Sequence, residues 1–388
     1  MPCALAGALI AACSGSGRSP GKANLDPAID GGTDAGKDSG IFVSDAMPPK
    51  PSPDAGCGYE AIDVTRTPPN VYFVIDRSGS MGEVVGGKKK IDAVRAAVVA
   101  MAQTIGFRVN VGAAVFPRVV GGDNYCAAGS EILPLQPGDP KSFADSGNLG
   151  PVALKLRNDL ELAPFGNTPT GPTLAALTPM LSALGTKGTF VILATDGGPN
   201  CGTVPCGIDA CIPNIEKTMG CEGELNCCDP QMVKGGKTAL CVDVNGALSA
   251  VSSLAAAGVT VIVVGIAGSA YYAGLLDALA VAGGAPRPTS PRYYQVEDLN
   301  ELEGTFAAIG SDVIVSCDLS LAAAPPEQNN VNVYLDDTLV YQDAKDGWTY
   351  SDGTTITLHG AACDALQAGK YKSAQVFLGC PSMTPPVN

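Results

Sequence analysis

Three short segments of this chain carry oxygen donors in a pattern suited to a hard metal ion. Asp76-Arg77-Ser78-Gly79-Ser80 places one carboxylate and two hydroxyls at alternate positions. It directly follows Val71-Tyr72-Phe73-Val74-Ile75, a continuous apolar run expected of a strand buried on both faces. Gly79 and Gly82 permit the following loop to curl, so that the three side chains converge. Gly166-Asn167-Thr168-Pro169-Thr170 precedes a predicted helix, and Leu193-Ala194-Thr195-Asp196-Gly197-Gly198 closes a second buried run. Carboxylates and hydroxyls suit Mg²⁺, with Mn²⁺ or Ca²⁺ as further candidates, and suit zinc poorly. A lone D-x-S-x-S could equally cap a helix; the two partners in later loops argue for a shared site instead.

In order and in residue type, these segments resemble the metal-ion-dependent adhesion site of the von Willebrand factor A family. The match runs over roughly residues 66–312. The resemblance implies that Ser78 and Ser80 coordinate the ion directly, and that Asp76 and Asp196 act directly or through water. Thr168 stands at the family threonine, with Thr170 as the alternative because the loop offers both. It further implies that a carboxylate on a partner completes the metal shell. A hard cation with few protein carboxylates stays electrophilic, which makes that chemistry sensible.

The elements that must hold these loops alternate strand and helix. Val109–Phe116, Glu131–Leu135, Phe190–Ala194, Val259–Ile266 and Arg292–Val296 read as further strands. Ile91, Val94, Val98, Met101 and Ile105 recur at helical spacing, and 172–184, 246–257, 271–282 and Asp298–Ile309 read as helices. The predicted fold class is α/β, a doubly wound and mostly parallel sheet of von Willebrand factor A type. The uncharged stretch Val244–Leu276 parses as helix, turn and strand rather than as a membrane span, because Gly258 divides it and its second half is β-branched. Predicted boundaries are a signal segment at 1–13, a tether at 14–58, the main domain at 59–312 and a small β-rich module at 313–388. In that module Asp336-Asp337 marks a hairpin. Its Trp348, Tyr341 and Tyr350 read as core rather than as a carbohydrate platform.

Fourteen cysteines in 388 residues point to an oxidising compartment. Seven of them, at 201, 206, 211, 221, 227, 228 and 241, fall in an insertion at 200–241 just after Asp196. That insertion should lie beside the metal face, either as a stapled loop or as a cap shaping ligand choice. Seven is odd, so at least one cysteine must pair outside the insert or stay free, and Cys126 is the candidate partner. Cys57 with Cys317, as a clasp across the domain ends, and Cys363 with Cys380 complete the expected pairs.

Ile10-Ala11-Ala12-Cys13 after a short apolar run resembles a bacterial lipoprotein signal, with lipid expected on Cys13. Residues 14–56 hold 8 Gly, 6 Pro, 6 Ser and 6 Asp, which cannot bury enough apolar area to fold alone. The formal net charge of −14 disfavours nucleic-acid partners. Lys88-Lys89-Lys90 reads as the solvated start of a helix, and Arg77 and Glu83 as solvated loop residues. His359 is the single histidine, so an acid–base pair for hydrolysis is missing near the site. The expectation is an exported protein, lipid-anchored to a bacterial envelope, that binds a protein or surface polymer through a carboxylate. An assembly role with a purely stabilising ion comes second, and an exported metal-dependent enzyme last.

Overall fold

The computed structural model describes residues 58–62, 68–118, 125–184, 188–314, 317–351, 353–368, 370–371, 373–379 and 381–382. Cys13, residues 14–57 of the tether, Cys57 included, and Cys380 lie outside them. Strand β1 (Gly58–Ile62) comes first. The main domain then runs through β2 (Asn70–Asp76), α1 (Lys90–Ile105), β3 (Asn110–Phe116), β4 (Ser130–Pro137), α2 (Lys141–Ser146), α3 (Pro151–Asp159), α4 (Thr170–Ser182) and β5 (Thr189–Thr195). After the insertion come α5 (Val244–Ala256), β6 (Val259–Ile266), α6 (Ala273–Ala282), β7 (Tyr294–Val296) and α7 (Leu302–Val313).

These strands form one six-stranded sheet in the order β4-β3-β2-β5-β6-β7. Four pairings are parallel and only the edge pair β3–β4 is antiparallel. This is the doubly wound, mostly parallel arrangement expected from the alternating pattern. Period-two alternation of side chains explains why apolar runs are continuous here. Val71, Phe73 and Ile75 of β2 pack under α1, α3 and α7, while Tyr72 and Val74 point to the opposite layer of α4, α5 and α6. At ~25 cal/mol per Å² of apolar area buried, two such layers supply most of the driving force for folding. Helix α5 begins at a cap in which Gly246 N donates to Asp243 Oδ1 at 3.0 Å.

The chain leaves β2 for β3 on one side and later returns to β5 on the other. Asp76, the last residue of β2, therefore stands where the strand order reverses, the crevice in which open α/β sheets place ligands.

The C-terminal module contains β8 (Asp318–Ser320), β9 (Val331–Leu335), β10 (Thr338–Val340), β11 (Trp348–Tyr350), β12 (Thr355–Leu358), α8 (Gly360–Gln367) and β13 (Ala374–Leu378). One antiparallel sheet has the order β1-β13-β9-β10 and another β8-β12-β11. Both contribute to a core around fully buried Trp348. The β9–β10 hairpin turns through Asp336, whose φ is +52°, a value Asp tolerates better than most residues. Two expectations need correction. The sequence places residues 59–62 in the main domain and predicts no strand there, yet they belong to β1, which pairs with β13 of the module. Cys317 was expected to clasp Cys57, and Cys363 to join Cys380; instead Cys317 and Cys363 are bonded to each other. The physical reason is local: Leu358 N bonds to Cys317 O, and Cys363 N to His359 O, so the β8–β12 pairing brings α8 onto Cys317.

Candidate metal centre

Asp76 is completely buried and gripped on both carboxylate oxygens. Ser78 N donates to Oδ1 at 2.7 Å, and Thr195 Oγ1, from the end of β5, donates to Oδ2 at 2.6 Å. The loop beyond it is pinned by three backbone bonds: Arg77 N to Phe116 O, Phe165 N to Arg77 O and Gly79 N to Gly166 O. Gly166 has φ +77°, and a side chain there would press on Pro117 and the Tyr125 carbonyl. Pinned this way, Ser78 Oγ and Ser80 Oγ lie 3.2 Å apart, and Ser80 Oγ donates to Asp196 Oδ1 at 2.9 Å.

The structure thus gathers Asp76, Ser78, Ser80 and Asp196 at the ends of neighbouring parallel strands. Thr168 is buried and is positioned through its backbone: its N donates to Asn200 Oδ1 at 2.7 Å, and its O accepts from Asn200 N at 2.9 Å. Thr170 is fully buried at the start of α4, and no group among the described residues bonds its Oγ1.

The donor set fits a small hard cation. For an octahedral ion with ligands at ~2.1 Å, neighbouring oxygens stand about 3 Å apart. The Ser78–Ser80 and Ser80–Asp196 separations, 3.2 and 2.9 Å, match that edge. Electrostatics point the same way. Burial, then the charge of Asp196, pushes the Asp76 carboxyl up to about 7, a strain that a bound cation would remove. Burial also raises Asp196, although Lys90 opposes it.

Lys90 is the residue that sequence reasoning missed. Expected in solvent, it is 3 % exposed. Its Nζ donates to Asp196 Oδ2 at 2.8 Å and to Glu83 Oε2 at 2.7 Å. Burial works against its charge, but Asp196 and Glu83 outweigh that and raise it. Lys88 and Lys89 are exposed as expected. Arg77 is also corrected: it is buried, and its Nη2 donates to Ala163 O at 2.7 Å. Glu83 keeps an exposed side chain but is ion-paired rather than free.

The insertion returns to this site. Cys126 is bonded to Cys201, next to Asn200, and Asn167 N donates to Tyr125 O. Within the insert the disulfides are Cys206–Cys241, Cys211–Cys228 and Cys221–Cys227. The sulfurs of Cys206, Cys228 and Cys241 cluster within 4.8 Å because two disulfides stack there, and oxidised sulfur offers no thiolate to a metal. Glu216 accepts from Tyr272 OH at 2.7 Å and is raised by burial, then by Asp196 and Glu83, so the insert reaches the rim of the centre. His359 lies elsewhere, bonded to Thr349 in the module.

Parallel strands with an antiparallel edge, and three loops meeting at the strand-order reversal, agree with the resemblance carried by the motif. The fold is von Willebrand factor A-like. The sequence matches no family model and no curated protein. Among solved structures, the chain is similar to the pilus adhesin SpaC from Lactobacillus rhamnosus GG (16 % identity, TM-score 0.43), over 81 % of this chain and 40 % of that one. It thus spans less than half the adhesin's length. It is also similar to a von Willebrand factor type A protein from Catenulispora acidiphila (14 % identity, TM-score 0.40, 89 % and 68 % covered). A third is manganese-loaded Plasmodium vivax TRAP (14 % identity, TM-score 0.37, 78 % and 96 % covered).

Proposed function

We propose that this von Willebrand factor A-like chain is an exported binding protein that uses a Mg²⁺-type ion to recognise a carboxylate on a protein or surface-polymer partner. The observation that carries the reading is the convergence of Asp76, Ser78, Ser80 and Asp196 oxygens, partly buried, at the strand-order reversal. Thr168, or Thr170 with its unpartnered hydroxyl, would supply the further oxygen. When bound, the ion supplies a Lewis-acidic centre. The chain's own part is to hold hydroxyl and carboxylate oxygens in place and to keep the net negative charge of the site low.

Binding suits the site better than catalysis, because the groups around it are fixed by hydrogen bonds and ion pairs rather than set up as an acid–base couple. Five disulfides among the described residues favour an oxidising, extracytoplasmic setting. Cys13 is the proposed lipid anchor to the cell envelope, and fatty-acid labelling lost in Cys13→Ser would support that anchor. The functional test is affinity capture from envelope extract with and without Mg²⁺, using Asp76→Ala as control. A partner retained only by wild type with Mg²⁺, and released when its acidic residue is replaced, supports recognition through the ion. A partner retained despite both EDTA and Asp76→Ala assigns the ion a stabilising role in an assembly component.

A further inference from the structure

Asp196 divides its two oxygens between different neighbours. Oδ1 faces the hydroxyl cluster, accepting from Ser80 Oγ at 2.9 Å, while Oδ2 is held by Lys90 Nζ at 2.8 Å. The lysine is built for this place. It is the first residue of α1, where the helix dipole disfavours a cation, so partners must hold it there. Glu83 holds its ammonium from the other side at 2.7 Å. Gly268, at φ +101°, leaves the space: a Cβ there would stand 3.3 Å from Lys90 Nζ. Lys90 is buried beside a buried carboxylate, 106 positions away in sequence.

We propose that Lys90 is a specificity-determining residue of the metal centre: by occupying Asp196 Oδ2 it limits Asp196 to one oxygen toward the ion, and so selects a six-coordinate Mg²⁺-like ion over Ca²⁺. This rests on the metal reading above. Ca²⁺ takes six to eight oxygens and often a bidentate carboxylate, whereas Mg²⁺ uses single oxygens at octahedral positions. The same ammonium offsets one of the two buried carboxylates, which keeps the bound ion electrophilic toward an external carboxylate. Removing its charge should therefore tighten both ions, and Ca²⁺ the more.

The experiment is calorimetric titration of Mg²⁺ and Ca²⁺ into metal-stripped full-length wild type, Lys90→Gln and Lys90→Arg. In Lys90→Gln, Mg²⁺ affinity should rise at least tenfold, and the ratio of Ca²⁺ to Mg²⁺ affinity should shift toward Ca²⁺ by at least fivefold. Lys90→Arg, which keeps the charge, should stay near the wild-type ratio. A Lys90→Gln protein with an unchanged ratio, or with weaker binding of both ions, overturns the proposal. Where Lys90→Gln is unfolded without an ion, circular dichroism follows the same titrations. Recovery at lower Ca²⁺ than Mg²⁺ concentration supports the proposal, and recovery with neither ion overturns it. Wild type that binds neither ion refutes the metal centre itself, an outcome distinct from failure at Lys90 alone.

Discussion

Asn200 holds Thr168 by both ends of its peptide unit, accepting from Thr168 N at 2.7 Å and donating to Thr168 O at 2.9 Å. The two residues are 32 positions apart, and their pairing joins the loop after β5 to the loop before α4. Outer partners of this kind typically shift metal affinity 10- to 100-fold when removed. Asn200→Ala should weaken Mg²⁺ binding by about that factor. The variant should still give a cooperative melt, because Asn200 is only one polar contact at the edge of the core. Calorimetric titration checks it, and an unchanged affinity would show that Thr168 needs no such support.

The Cys126–Cys201 bond ties the same region from the other side. Replacing both cysteines with serine should cost about 2–4 kcal/mol of stability, as for other native disulfides closing long loops. Peptide mapping without reduction should recover Cys126–Cys201 and Cys317–Cys363 as linked peptides. A Cys57–Cys317 peptide would contradict the β8–β12–α8 arrangement described above.

Asp364 joins the module to the main domain, bonded by Arg108 at 2.7 Å and by Lys141. Burial alone would raise this carboxyl, but the two cations win and hold it below the usual range. A depressed carboxylate contributes stability above its unfolded pKa of about 3.9 and loses it as pH falls through the folded value. Wild type should therefore be more stable than Asp364→Asn at neutral pH. Denaturant melts from pH 7 down to pH 2 should show that advantage shrinking below about pH 4. An advantage independent of pH would mean that Asp364 acts through packing.

Much of the main sheet was legible because its strands are buried on both faces. Runs such as Val71–Ile75 and Phe190–Ala194 leave little choice of period, and the loops that follow them carry Asp76, Ser78, Ser80 and Asp196. Lys90 was not legible. Beside two exposed lysines it reads as solvated, and only the return of the chain at Asp196, 106 residues later, makes burial favourable. Arg77 hides for the same reason, since its acceptor is the carbonyl of Ala163. The strand β1 depends on its pairing with β13 across the whole main domain, and the Cys317–Cys363 bond on the β8–β12 pairing within the module, neither of which the cysteine spacing encodes.

Asp76 and Asp196 repel one another in the absence of an ion, so neutralising one should relieve the fold while abolishing the site. Metal-free Asp76→Asn should melt at or above the temperature of metal-free wild type. Scanning calorimetry on stripped protein measures this, and a large loss would mean that Asp76 serves the fold chiefly through its charge.

In the function proposed above, Asp76, Ser78, Ser80, Asp196 and the Thr168 loop form one hard-cation site. Its most direct measurement is the thermal shift produced by Mg²⁺ or Mn²⁺ in stripped wild type, Asp76→Ala and Asp196→Ala. An ion that binds only the folded state stabilises it by about 2.7 kcal/mol at one hundred times its Kd. Wild type should therefore gain several degrees, reversibly with EDTA, while both variants stay nearly flat. Equal shifts in all three proteins, or none in wild type, would contradict the account.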